Sequence, residues 1–240
     1  MKKTNFLTSY KFTHRGLHNN IIPENSIKSF INAIENGYAI ELDIRVTKDN
    51  KWVVFHDKSL KRMAKEDINL SDLDYDDLKH HLLGNSLETI PLFEDVLNLV
   101  NGKTPLLIEI KPIKKKKKNL KTLVNLLDSY KGDYAIFSFS PLIIKWFKKN
   151  RPNYIRGQIS SFFEDNKLPK FLKYFYKSMF FNRFTKPDFI SYNIENIPNK
   201  YIDKARSKGI ILFGYTARSI EEYQKALMYL DNVVFENFKF

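Results

Sequence analysis

Short apolar runs of strand length alternate along most of the chain with segments whose apolar residues recur at helical spacing, and this alternation constrains the fold more than any other feature. Strand-like runs lie at 10–13, 38–46, 105–110, 134–139, 154–159, 188–191, 210–215 and 232–235, with a returning strand at 52–55. Helical segments fall at 27–36, 91–100, 120–130, 141–150, 168–181, 200–208 and 220–230. Consecutive strands joined through helices run parallel, because a crossover is needed to start each new strand in the same direction. With the return counted as an extra, the pattern predicts a (β/α)8 TIM barrel in a single domain over residues 1–240. Residues 57–90 break the alternation: they are polar, acidic over 67–77, and read as a small insertion of short helices after the second barrel strand.

A chain that is 43% hydrophobic has the material for a core. It has no cysteine, which excludes disulfides, thiolate catalysis and cysteine-ligated zinc and is compatible with a reducing compartment. The first residues lack the apolar run of a signal peptide, and no segment reaches the roughly 18 apolar residues of a membrane span, so a cytoplasmic location is expected. The net charge of +13 is spread over lysines along the chain and reads mostly as solvated surface. No aromatic–basic RNA-recognition motif accompanies it, so nucleic acid is not expected as a partner.

Polar residues with chemical use gather at the ends of the early strands. His14-Arg15-Gly16 ends the first, Glu41-Leu42-Asp43 lies in the second, His56-Asp57 ends the return, and Glu109-Ile110-Lys111 ends the next. Strand C-terminal ends are where a barrel of this class carries its active site. Glu41 and Asp43 are two apart and share a strand face, while Ile40, Leu42, Ile44 and Val46 supply the opposite one. Two inward carboxylates repel unless a cation joins them, and Glu109 adds a third. An all-oxygen set suits one Mg²⁺ or Ca²⁺. His14 and His56 are read as a general acid and a general base, their roles not assigned between them. Arg15 and Lys111 are read as phosphate-holding groups. Glu24 and Asn25, in the loop after the first strand, and Asp57 beside His56 are read as supporting residues. The set points to metal-assisted cleavage of a phosphodiester.

In this ordered series, and most closely over 13–62 and 105–111, the chain resembles the glycerophosphodiester phosphodiesterases. The resemblance also takes in Pro23-Glu24-Asn25-Ser26 and runs to the C-terminus, with weaker agreement at Gly214-Tyr215-Thr216 and Phe235-Glu236-Asn237. It implies Glu41, Asp43 and Glu109 as metal ligands and hydrolysis of a glycerophosphodiester to sn-glycerol 3-phosphate and an alcohol. Two alternatives stand beside it: a phospholipase D-like action on lysophospholipids, and a catalytically silent membrane-binding relative.

Two basic clusters leave weak contact with an anionic membrane surface open. Residues 114–118 are five consecutive lysines, for which a solvated loop is preferred. Segment 168–184 combines Lys170, Lys173 and Lys177 with Phe171, Leu172, Phe175, Met179 and Phe180, for which an outer barrel helix is preferred. The sequence assigns no oligomeric state.

Overall fold

The computed structural model describes residues 3–113, 116–164 and 168–240, the Lys116 side chain excepted. Lys114 and Lys115 of the five-lysine run therefore lie outside the described residues. The chain forms two compact units, one spanning Phe12–Tyr134 and the other Met1–Lys11 with Ala135–Phe240. A single helical turn, α1 (Phe6–Ser9), belongs to the latter and has no counterpart in the sequence pattern.

The unit Phe12–Tyr134 begins with β1 (Phe12–Thr13), α2 (Ile27–Glu35), β2 (Ala39–Val46) and β3 (Trp52–Val54). β1 pairs parallel with β2, placing Thr13 opposite Ile40, and β3 folds back antiparallel on the end of β2 with Ile44 opposite Val54. The hairpin return expected at 52–55 is thus present. Helix α2 starts where Ser26 can cap it: Ser26 Oγ accepts the Ser29 N–H at 3.1 Å, and Ser29 Oγ accepts the Ser26 N–H at 3.2 Å. A reciprocal cap satisfies two amides that the first turn would leave bare and contributes about 1 kcal/mol. Its buried face holds Ser29, Phe30 and Ala33, and Ile31 is exposed.

The insertion contains α3 (Lys61–Ala64), a 3-10 turn at Leu70–Asp72 and α4 (Tyr75–Leu78), as its composition suggests. Few apolar residues hold it down, and they are shared with the hairpin: Leu60, Leu70, Leu78, Leu83 and Ile90 pack with Val53 and Phe55. Helix α5 (Phe93–Val100) begins two residues later than Pro91 suggested. The Pro91 carbonyl accepts the Val54 N–H at 2.9 Å, so residues 91–92 stay extended beside β3. β4 (Leu106–Ile110) then pairs parallel with β2 in a register that sets Asp43 beside Glu109, and α6 (Lys116–Ser129) follows.

The second unit carries β5 (Tyr134–Ser138), α7 (Pro141–Asn150), β6 (Arg156–Ser160), α8 (Lys170–Lys177), α9 (Asn182–Thr185), β7 (Phe189–Asn193), α10 (Lys200–Arg206), β8 (Ile211–Ala217), α11 (Ile220–Leu227) and β9 (Asn232–Phe235). Its strands pair parallel in chain order, β5 with β6, β6 with β7, β7 with β8 and β8 with β9. Asn232 Nδ2 donates to the Leu7 and Tyr10 carbonyls at 2.7 Å each, which fastens α1 to this unit. Three parallel strands with the hairpin in one unit and five in the other constitute the (β/α)8 class, interrupted by the insertion as expected. Among the described residues no helix is long and apolar enough to cross a membrane.

Gly157 on β6 shows how closely these strands are packed. A Cβ there would lie 2.2 Å from the ring of Phe189, its partner in the β6–β7 register. Gly157→Ala is expected to destabilise the protein by about 1–3 kcal/mol, the usual cost of overpacking a filled core, read as a lowered urea midpoint.

Candidate active site

Glu41, Asp43 and Glu109 converge. Each offers a carboxylate oxygen within 4.8 Å of the other two, and all three side chains are buried. Strand chemistry explains the convergence, since Glu41 and Asp43 share a face of β2 while parallel pairing sets Glu109 at the level of Asp43. The loop after β1 closes over them: the Arg15 N–H donates to Glu41 Oε2 at 3.0 Å, and the Gly16 N–H donates to the Glu41 carbonyl at 3.2 Å. Arg15 adopts φ +56 and Gly16 φ +79. A Cβ at Gly16 would lie 2.4 Å from Ser29 Oγ, so this tight approach needs glycine. His14 lies half-buried in the turn between β1 and Arg15.

Two cations already balance part of this charge. Lys111 Nζ, 5% exposed as a residue, reaches Asp43 Oδ1 at 2.8 Å and Glu109 Oε1 at 2.7 Å. Arg15 Nε lies 3.3 Å from Asp43 Oδ2, but without hydrogen-bond geometry, so this buried N–H has no hydrogen-bond partner. Asn25 Nδ2 donates to the same Asp43 oxygen at 2.9 Å.

The three carboxylates differ in electrostatic state. Burial pushes Glu41 well up, and the neighbouring Asp43 and Glu109 add to that shift. Burial also raises Asp43, but Lys111, Arg15 and His56 outweigh it and hold Asp43 well below the usual carboxylate range. Glu109 is raised by burial and by Asp43, against the pull of Lys111. Lys111 is itself raised, because Asp43 and Glu109 overcome the burial that would lower it. Glu41 is thus the member of the trio whose charge is least well supported, first by burial and then by its two neighbours. Two oxygens on one ion at about 2.4 Å can be at most about 4.8 Å apart, so the observed spread fits a single hard divalent cation.

The hairpin brings the second histidine to this cluster. The Phe55 N–H donates to the Asp43 carbonyl at 2.9 Å, and His56 follows directly. His56 Nδ1 is 2.6 Å from Asp57 Oδ1, and the His56 carbonyl accepts Arg45 Nε at 2.8 Å. Asp57 favours the tautomer with its proton on Nδ1, leaving Nε2 as the ring nitrogen for exchange.

Arg62, to which the sequence assigned no part, ties the site together. Its Nε donates to Asp57 Oδ2 at 2.6 Å, and its two terminal nitrogens donate to Glu24 at 2.8 and 2.7 Å. Glu24 also accepts Arg15 NH1 at 2.7 Å. Hydrogen bonds and ion pairs therefore run from His56 through Asp57, Arg62, Glu24 and Arg15 to Asp43. Arg62 bonding and the charge of Arg15 hold Glu24 below its ordinary value against burial. Asp57 is likewise depressed, as bonds from His56 and Arg62 outweigh burial. The missing signal was a count of partners: two carboxylates, Glu24 and Asp57, beside one arginine called for a second cation. Lys111, expected to hold phosphate, is placed between two carboxylates.

The profile of the Glycerophosphoryl diester phosphodiesterase family matches residues 14–237. The chain belongs to that family, and its fold is the (β/α)8 barrel of the solved relatives. A phosphodiesterase of Oleispira antarctica, solved in complex with the product sn-glycerol-3-phosphate, superposes with a TM-score of 0.82 at 19% identity, over 97% of this chain and 94% of that one. A glycerophosphodiester phosphodiesterase of Thermotoga maritima gives 0.70 at 22% identity, over 94% and 93%. In sequence, a glycerophosphodiester phosphodiesterase of Bacillus altitudinis is 37% identical over 106 residues, 41% of this chain and 43% of the relative. A lysophospholipase D of Mus musculus is 30% identical over 165 residues, 62% of this chain and 51% of the relative. The chain thus spans about two-fifths to half the length of these curated relatives.

If the trio holds a cation, Asp43→Asn and Glu109→Gln should each weaken Mg²⁺ or Ca²⁺ binding by at least about tenfold. Asn25→Ala, which removes the two bonds between the Asn25 side chain and Asp43, should cost about 10–100-fold, the range for outer groups that orient ligands. Isothermal titration calorimetry on the purified variants checks both.

Proposed function

We propose that the chain hydrolyses glycerophosphodiesters to sn-glycerol 3-phosphate and an alcohol, with His14 and His56 as acid and base. The observation that carries this reading is the convergence of Glu41, Asp43 and Glu109 beside Arg15, in the unit that also presents His56 on Asp57. Family membership supports it, as does the product found in the Oleispira antarctica relative.

Glu41, Asp43 and Glu109 would hold one divalent cation, Mg²⁺ or Ca²⁺, which when bound supplies Lewis-acid neutralisation of phosphate charge. The Arg15 guanidinium, fixed on one side by Glu24, is the cation for a phosphate oxygen. Lys111 bridges Asp43 and Glu109 and offsets their mutual repulsion. One histidine takes the proton from the glycerol hydroxyl adjacent to the ester; that oxygen bonds to phosphorus as the bond to the leaving alcohol breaks. The second histidine gives its proton to the departing oxygen. A cyclic phosphate results, and water opens it with the two histidines in exchanged roles, so one water is consumed per diester. Asp57 acts on the reaction by fixing the His56 ring, and Arg62 by fixing Asp57 and, through Glu24, Arg15.

A second reading, cleavage of lysophospholipids at the head-group side of the phosphate, uses the same residues. The match to lysophospholipases D of Homo sapiens and Mus musculus favours it.

A panel of glycerophosphocholine, glycerophosphoethanolamine, glycerophosphoglycerol and lysophosphatidylcholine, with EDTA or with added Mg²⁺ or Ca²⁺, tests these readings. Turnover should vanish in chelator and return with metal; full turnover in excess EDTA, or none on any diester with metal, overturns the proposal. His14→Ala and His56→Ala should each lower kcat by about 10²–10⁴-fold with folding intact, the range for losing a positioned acid or base. Near-normal turnover in either variant makes that histidine structural.

A further inference from the structure

Helix α8 does not behave as an outer barrel helix. It ends at Lys177 instead of extending to 181, and none of its residues is buried. Its sequence, KFLKYFYK, has three lysines, three aromatic residues besides Phe171 and Leu172 in its first turn, and no acid. At 100° per residue, Lys170, Lys173, Tyr174 and Lys177 fall along one stripe with Phe171 at its edge. Phe171 is 62% exposed and Tyr174 54% exposed. The opposite side is occupied: Tyr176 packs on Phe163 and Phe181 at 5.2 and 5.3 Å between ring centroids, and Phe175 packs on Phe180 at 4.7 Å. The helix therefore has one aromatic side turned to its own unit and one side that exposes Lys170, Phe171 and Tyr174.

Its place on the unit is defined by two hydrogen bonds. Ser160 Oγ donates to the Tyr176 carbonyl at 2.7 Å, and Tyr192 Oη donates to the Lys177 carbonyl at 2.9 Å. Ser160 ends β6 and Tyr192 is the penultimate residue of β7, so α8 rests on the C-terminal ends of these strands. That is the strand end at which (β/α)8 enzymes carry their chemistry. Two lysines of the stripe are anchored as well: Lys173 Nζ donates to the Glu164 carbonyl at 3.0 Å, and Lys177 Nζ lies 5.4 Å from the Phe162 ring centroid.

We infer that α8 is an interfacial docking helix that seats this end of the barrel on an anionic lipid surface. Phe171 and Tyr174 enter the head-group region and the exposed Lys170 meets a lipid phosphate, while Lys173 and Lys177, held on their own unit, add positive potential behind it. Charge complementarity selects this partner, since an all-cationic stripe on a chain of net charge +13 is repelled by a second copy of itself and attracted by acidic lipid. Aromatic rings between lysines suit the boundary between head groups and acyl chains, where an apolar body and a polar rim are both satisfied. Lipid binding is read without turnover, so its failure is separable from failure of the hydrolase reading.

Flotation of the full chain with vesicles of phosphatidylglycerol and phosphatidylcholine, against phosphatidylcholine alone, is the test. Binding to the acidic vesicles should be stronger by on the order of tenfold or more and should weaken as salt shortens the Debye length. Phe171→Ser with Tyr174→Ser, and separately Lys170→Gln, should each reduce it several-fold while leaving thermal stability and turnover of glycerophosphocholine unchanged. Phe171→Trp should show a blue-shifted emission on acidic vesicles only. Equal binding to both vesicle types, or no binding to either, overturns the inference; so does binding that survives loss of Phe171 and Tyr174.

Discussion

Three buried carboxylates within 4.8 Å of one another are the constraint on which the unit Phe12–Tyr134 depends. Burying like charges together is costly unless cations and hydrogen bonds offset the lost hydration. Lys111 is placed between Asp43 and Glu109, Arg15 lies beside Asp43, and backbone and amide N–H groups take remaining oxygens. This balance is incomplete at Glu41, whose carboxyl is pushed well above its ordinary range by burial and its two neighbours.

The surrounding structure is organised to hold that cluster in one geometry. The Ser26–Ser29 cap fixes the start of α2, and Ser29 Oγ also donates to the Arg15 carbonyl at 3.1 Å. The Asn25 N–H donates to the same carbonyl at 2.9 Å, so one helix terminus positions both Arg15 and Asn25. From the other side, Arg62 in the insertion reaches Glu24 and Asp57 and through them steadies Arg15 and His56. The insertion, whose few apolar residues pack under the hairpin, thereby becomes part of the site's support.

In the second unit, the same strand end carries a different specialisation. The C-terminal ends of β6 and β7 support α8 through its last two carbonyls, leaving Lys170, Phe171 and Tyr174 exposed. A helix needed only for packing would bury a stripe, and α8 buries none.

Much of the site was legible because strand periodicity is strict. Two residues apart on a strand means one face, so periodicity alone pairs Glu41 with Asp43, and the alternation of strands and helices suffices for the barrel. The returning strand read at 52–55 likewise carries His56 back toward Asp43. Partner choice was not legible. That Lys111 would bridge two carboxylates, that Arg62 would join Glu24 to Asp57, and that α8 would leave its stripe exposed all depend on residues distant in sequence. Sequence sets which face of an element a side chain occupies. Only tertiary packing decides which charge stands opposite it, because that distance is fixed by strand register and loop closure.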